Sequence, residues 1–260
     1  MFHFTKAVLI AGAPIIGSYF SWMRKYAKHP EKYPFDERFK KVKKILTKVS
    51  NSLAVDYYVE GLELLPEETC CLVCNHLSAL DPVALIINLK KPCTFVGKKE
   101  LLKSPFIGKV MQGIDCQFLD RDDLKQSLRI MMRVEEDLKK KERDWIIFPE
   151  GTRNKDEMHN LGEFHHGTFR PAYKAGVPIV PVAIYGSFRA LKEKPQYKRY
   201  PVFMKILKPI YPEDYKNMTT QEIALMVQNE IEKAVSFDLR KKDHEYMVKH
   251  AKKYRFNQII

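Results

Sequence analysis

The chain has 260 residues, 45% hydrophobic and 12% aromatic, with 11 Gly and 15 Pro, a balance that excludes a disordered chain, a collagen-like repeat and a small disulfide scaffold. Its 45 Lys and Arg against 32 Asp and Glu leave a net charge of +13. That excess is uneven: +8 in residues 1–50, +3 in residues 51–218 and +2 in residues 219–260. The five Cys (Cys70, Cys71, Cys74, Cys93, Cys116) are odd in number, which reads as reduced thiols in a cytosolic setting.

The N-terminal cations adjoin residues 7–23, an uncharged run flanked by Lys6, Arg24 and Lys25 and containing Tyr19, Phe20 and Trp22 near its end. A bilayer span takes roughly 20 apolar residues, and this run is shorter and broken by two Gly, a Pro and two Ser. It predicts an interfacial or re-entrant anchor, aromatics at headgroup level and Lys/Arg on anionic lipid. The competing reading is a helix buried against the main domain. Without a small-residue cleavage pattern it is not read as a signal peptide.

Residues 24–50 place Phe39, Val42, Ile45, Leu46 and Val49 at helical spacing among lysines, which suits a helix lying at the interface or docked on the domain. Short apolar runs then alternate with helical patterns. The predicted strands are Ala54–Val59, Cys70–Cys74, Thr94–Val96, Cys116–Leu119, Trp145–Phe148, Ile179–Tyr185 and Pro201–Leu207. The predicted helices are Pro82–Leu89, Ser104–Met111, Leu124–Lys141, Thr168–Ala175 and an interrupted Thr220–Phe256. This alternation predicts an α/β layered domain with a largely parallel central sheet flanked by helices. Residues 51–218 form that domain, residues 1–50 a preceding membrane-anchoring helical segment, and residues 219–260 a helical segment packed on it.

In such sheets ligands bind where loops leave the carboxyl ends of strands. The loop after Cys70–Cys74 carries Asn75-His76-Leu77-Ser78-Ala79-Leu80-Asp81-Pro82. Asp followed by Pro starts a helix, so His76 lies on a turn that can fold its imidazole onto the Asp81 carboxylate. A carboxylate on one ring nitrogen fixes the tautomer and raises basicity at the other, as a general base requires. The loop after Trp145–Phe148 reads Pro149-Glu150-Gly151-Thr152-Arg153; there Arg153 suits a phosphate by its bidentate fork and Glu150 a hydroxyl, together a polyol phosphate. Phe118-Leu119-Asp120-Arg121 and Val96-Gly97-Lys98 end two further strands and bring cations to the same side, and Val177-Pro178-Ile179-Val180-Pro181 follows.

This ordered set, Asn75-His76-x4-Asp81, Phe118–Arg121, Phe148–Arg153 and Val177–Pro181, resembles the four motifs of the glycerolipid acyltransferases over roughly residues 55–210. In particular it looks like the bacterial 1-acyl-sn-glycerol-3-phosphate acyltransferases. The resemblance implies transfer of a fatty acyl group from an acyl-carrier-protein or coenzyme A thioester to the sn-2 hydroxyl of lysophosphatidic acid, giving phosphatidic acid, with no cofactor beyond that donor. It implies His76 as base and Asp81 as its orienter. Arg121 and Arg153 would hold the acceptor phosphate with Lys98 helping; Glu150 and Gly151 would line the glycerol site, and Thr152 joins the substrate-binding set. Ser78 and Cys74 receive little weight as nucleophiles, because the family transfers directly.

One departure stands out. Where the family usually has Phe-Lys-x-Gly, this chain has Phe164-His165-His166-Gly167, replacing a Lys by a group only partly charged near neutrality. Zinc is not expected, since Cys71-x2-Cys74 has no second ligand pair at finger spacing. The expected partners are the bilayer, lysophosphatidic acid and the thioester carrier, with no nucleic acid, and the expected location is the cytoplasmic face of the cell membrane, held peripherally, monotopically or by one N-terminal anchor. Acylation of another lysophospholipid, and a basic membrane-surface binding protein without turnover, are the competing readings.

Overall fold

The computed structural model describes residues 15–120, 122–154, 159–192 and 199–250, together with Gly12 and Asp156. Seven strands form one sheet: β1 (Val55–Glu60), β2 (Cys71–Cys74), β3 (Cys93–Lys98), β4 (Gln117–Leu119), β5 (Asp144–Ile147), β6 (Ile179–Tyr185) and β7 (Tyr200–Ile206). Their order is β1-β7-β6-β2-β5-β3-β4. Every neighbouring pair is parallel except β6 and β7. The predicted sheet is thus largely parallel, with β1 and β7 reversed at one edge. β7 runs back beside β6, and an antiparallel neighbour needs no crossover to the far end of the sheet.

Helices cover both faces. They are α1 (residues 15–28), α2 (Phe35–Ser52), α3 (Asp81–Asn88), α4 (Ile107–Gly113), α5 (Leu124–Lys140), α6 (Arg170–Ala175), α7 (Arg189–Lys192), α8 (Pro212–Tyr215), α9 (Thr220–Lys233) and α10 (Arg240–His250). Burial on both faces is why β2 reads as an unbroken apolar run: Leu72 and Cys74 join the α2–α4 side, Cys71 and Val73 the α5, α6 and α9 side. Cys71 and Cys74 therefore point to opposite faces and cannot share a metal ion. All five thiols are buried and free, and burial, with nearby carboxylates, pushes Cys71 up to about 12 and Cys74 well above its ordinary range.

Of the two readings of residues 24–50, the structure takes the docked one. Phe39, Val42, Ile45 and Leu46 of α2 are buried in the core. The N-terminal helix α1 docks as well: Met23 and Tyr26 are buried, and Ile15, Tyr19 and Trp22 pack against the core, so only Phe20 of the three aromatics expected at headgroup level stands out in solvent with Ile16. No helix among the described residues is long and apolar enough to cross a membrane; residues 7–11, 13 and 14 of the predicted anchor lie outside them.

Several boundaries moved for local reasons. The Cys116 N–H donates to Met111 O at 3.0 Å and closes the end of α4, so β4 starts one residue later than predicted. Ser104 Oγ accepts the Ile107 N–H at 3.3 Å, which starts α4 there and not at Ser104. The C-terminal helix is continuous where an interruption was expected, since a π-type segment, Ala234–Leu239, joins α9 to α10; residues 251–256 of the prediction lie outside the described ones.

α2 is pinned by Arg38, which donates to Gly113 O at 2.7 Å and to both Asp115 oxygens at 2.7 and 2.8 Å, while Arg143 donates to the same carboxylate at 2.6 Å. Burial alone would push the Asp115 carboxyl up, but the Arg38 and Arg143 bonds hold it below the usual carboxylate range. A depressed carboxylate stabilises the fold above its unfolded pKa and loses that contribution as pH falls through its lower folded value. Arg38→Met is expected to cost about 1–3 kcal/mol at pH 7. The loss should shrink on acidification only as pH falls through the lowered folded pKa of Asp115, below the ordinary carboxylate range. Urea unfolding as a function of pH from 7 downward checks this, and a loss that shrinks at the ordinary carboxylate pKa, as for an unpaired Asp, would refute the Asp115 assignment.

Candidate active site

The carboxyl ends of β2, β5 and β6 lie side by side, since β2 pairs with both others in parallel. Each leads into a loop that carries polar side chains. After β2, Asn75 extends the pairing to β6: its Nδ2 donates to Ile184 O at 3.0 Å and its Oδ1 accepts the Ile184 N–H at 2.8 Å. This fully buried clamp fixes where His76 leaves the sheet.

His76 Nδ1 lies 2.9 Å from Asp81 Oδ2. The same oxygen accepts the N–H groups of Leu77 and Ser78, each at 2.7 Å. Asp81 opens α3, as the sequence predicted, yet its carboxylate folds back over the preceding turn, and Ser78 Oγ accepts the Leu80 N–H at 3.2 Å. The other oxygen, Oδ1, accepts a hydrogen bond from Ser187 Oγ on the turn after β6. Asp81 and Ser187 are both 0% exposed. A carboxylate held by two backbone N–H groups and a hydroxyl is an acceptor, so His76 Nδ1 carries the proton toward it and Nε2 presents a lone pair. The ring rests against Phe148, centroids 4.3 Å apart.

The β5 loop is joined to the β2 loop through backbone. Glu150, 4% exposed, accepts the His76 N–H at 2.7 Å on one oxygen and the Gly162 N–H at 3.0 Å on the other. Asn154 N–H in turn donates to His76 O at 2.8 Å. Burial pushes the Glu150 carboxyl up, against these two backbone donors, which pull it down. Glu150, expected as a ligand for a hydroxyl, thus has its carboxylate engaged in aligning the His76 loop. Gly151 adopts φ +63°, a left-handed turn that suits glycine, and the His165 ring lies 3.3 Å from where a Cβ would stand. His166 turns instead toward Thr220, its Nδ1 3.4 Å from Oγ1.

Thr152 and Arg153 stand exposed beyond Gly151, and Lys98 is exposed at the end of β3. They lie on the same sheet edge as His76. Arg121 lies outside the described residues. Its neighbour Asp120 forms an ion pair with Lys99, and Phe118 O accepts Gln126 Nε2 at 2.7 Å, which ties the β4 loop to the start of α5. Cys74 is buried and Ser78 is engaged with Leu80 N–H, neither poised as a nucleophile. Ser187 and the loop-ordering role of Glu150 were not legible in the sequence: both depend on which strands flank β2.

Comparison with known proteins agrees with this arrangement. The Acyltransferase family model matches residues 56–185, which contain every motif named above. The chain is similar to the probable 1-acyl-sn-glycerol-3-phosphate acyltransferase of Mycoplasma pneumoniae, 32% identical over 221 residues that span 80% of this chain and 82% of the relative. The 1-acyl-sn-glycerol-3-phosphate acyltransferase of Saccharomyces cerevisiae is 31% identical over 180 residues, 69% of this chain and 59% of that one. Among solved structures, the 1-acyl-sn-glycerophosphate (LPA) acyltransferase PlsC of Thermotoga maritima superposes with a TM-score of 0.64 at 25% identity, covering 90% of this chain and 93% of the other. The chain belongs to the acyltransferase family of glycerolipid enzymes. It is an enzyme of acyl transfer, with the mixed α/β sheet of that family.

Proposed function

We propose that this enzyme moves a fatty acyl group from a thioester to the sn-2 hydroxyl of 1-acyl-sn-glycerol 3-phosphate, forming phosphatidic acid, with His76 as general base. The His76–Asp81 pair carries the reading: an imidazole with one nitrogen bonded to a buried carboxylate and the other with no hydrogen-bond partner among the described residues. His76 Nε2 takes the proton of the acceptor hydroxyl as that oxygen attacks the thioester carbonyl carbon. When the C–S bond breaks, the thiolate leaves with that proton returned from His76. The balance needs no oxidant, reductant or metal. General-base assistance of this kind is worth about 10²–10⁴-fold.

Arg153 and Arg121 hold the acceptor phosphate, with Lys98 assisting, while Gly151 and Thr152 border the glycerol. Fixing the acceptor in this way makes the attack nearly unimolecular. The acceptor assignment draws on the relatives, which bear the name of that reaction. Ile16 and Phe20, exposed on α1 beside Arg24 and Lys25, support attachment to a membrane surface, peripherally, monotopically or through one N-terminal anchor. The test offers purified enzyme in vesicles a palmitoyl thioester with a panel of lysophospholipids. Phosphatidic acid as the main product supports the reading; preferential consumption of lysophosphatidylcholine or lysophosphatidylethanolamine would replace the acceptor.

Ser187→Ala removes the only side-chain donor shown on Asp81 Oδ1 among the described residues. A buried hydrogen bond to a charged group is worth about 1.5–3 kcal/mol, so kcat is expected to fall about 10- to 100-fold while the acceptor KM stays near wild type. Steady-state kinetics check this. A pure KM effect would place Ser187 in substrate binding.

A further inference from the structure

Outside the site, α5 presents a face that no other described element covers, with a regular chemistry. Leu124, Leu128 and Met132 follow one another at four-residue spacing and are 74%, 48% and 49% exposed. Lys125, Arg129 and Arg133 run beside them at the same spacing, all exposed. Side chains four apart share one helix face, so an apolar stripe and a cationic row lie edge to edge along two turns. The opposite face of α5 is in the core through Ile130, Val134 and Leu138. Acidic residues bound the patch, Asp122 and Asp123 before it and Glu135, Glu136 and Asp137 after it.

The patch begins at the catalytic end of the sheet, and α5 carries it away from there toward the start of β5. α5 starts directly beyond β4, and Gln126 and Ser127 hold its first turn to Phe118 O at 2.7 Å and Asp120 O at 2.9 Å. β4 is three strands from β2, roughly 14 Å at ordinary strand spacing, so the first turn of α5 and the His76 loop lie at the same end of the sheet.

We propose that the Leu124–Arg133 face of α5 docks an acidic acyl-carrier protein and thereby presents its thioester to His76. The proposal rests on the acyl-transfer reading above. Three cations with no acidic residue between them match an acidic helix, and the stripe gives that helix a small apolar contact. A bilayer fits this face poorly, since a membrane lying along α5 would press Asp122 and Glu136 against anionic headgroups, whereas a small partner on two turns avoids both ends.

The test compares one acyl chain carried on acyl-carrier protein or on coenzyme A, using full-length wild type, Arg129→Glu/Arg133→Glu and Leu128→Ser. The expected result is a KM for the carrier-protein thioester raised at least 10-fold in the charge-reversed pair and severalfold in Leu128→Ser, with coenzyme A kinetics within twofold of wild type. Calorimetric binding of unacylated carrier protein should weaken in parallel. Equal effects on both donors, or unchanged carrier binding, overturn the proposal, and so does a loss of anionic-vesicle binding with carrier KM unchanged, which would make this face a membrane contact. Carrier binding that depends on Arg129 and Arg133 without turnover of either thioester would uphold the docking face and sink the acyl-transfer reading instead.

Discussion

Replacing His76 by alanine is expected to lower kcat for thioester-dependent acyl transfer by about 10²–10⁴-fold, with circular dichroism and thermal midpoint close to wild type. The separation of activity from stability follows from the geometry. Asp81 keeps the Leu77 and Ser78 N–H groups and Ser187 Oγ when the ring is gone, and the loop is still tied to Glu150 and Asn154 through the residue 76 backbone. The fold therefore loses little, and the acceptor KM changes little because its phosphate is held elsewhere. Asp81→Asn should behave differently. Its amide cannot accept all the donors that converge on the carboxylate, so stability falls together with kcat. A folded His76→Ala enzyme with wild-type kcat would remove the general base from the account.

The second large effect lies behind the site. Arg189, at the start of α7, makes a bidentate pair with Asp243 of α10, both bonds 2.6 Å and both side chains buried. The pair stands next to the turn that carries Ser187: a Cβ on Gly186 would come 2.6 Å from Pro201 O and 3.1 Å from Arg189 Nη1, and Gly186 holds φ +89°. Removing one partner of a buried ion pair leaves the other charge uncompensated, at about 3–5 kcal/mol. Arg189→Met is expected to lose that amount in urea unfolding, and the double variant Arg189→Met/Asp243→Leu to recover most of it. Activity should fall at temperatures where the single variant is still folded, because the Ser187 turn supports Asp81. A single variant as stable as wild type would show that α10 is not needed to hold this turn.

Much of the site was legible because its chemistry is local. His76 and Asp81 are five residues apart on a strand-to-helix loop, and Asp-Pro marks the start of α3 without knowledge of the rest of the sheet. Leu72 and Cys74 against Cys71 and Val73 likewise announce a strand buried on both faces. The remainder depends on strand order, which periodicity does not encode. Ser187 reaches Asp81 across 106 residues of chain, and Glu150 reaches the His76 N–H across 74, only because β6 and β5 flank β2. For the same reason Glu150 read as a substrate ligand: its residue type suits a hydroxyl, and nothing local shows that two backbone N–H groups occupy it. The docking of α1 was ambiguous because Tyr19 and Trp22 suit a headgroup layer as well as a core, and only the positions of α2 and α4 decide between them.

The central claim is that the acceptor hydroxyl, deprotonated at His76, attacks the thioester directly. Rapid-quench measurement of thiol release and phosphatidic acid formation, with and without lysophosphatidic acid, tests it most directly. Direct attack predicts no enzyme-stoichiometric thiol burst without acceptor, equal amounts of thiol and phosphatidic acid with it, and loss of both in His76→Ala. A burst of thiol without acceptor, with the acyl group bound to protein, would contradict it.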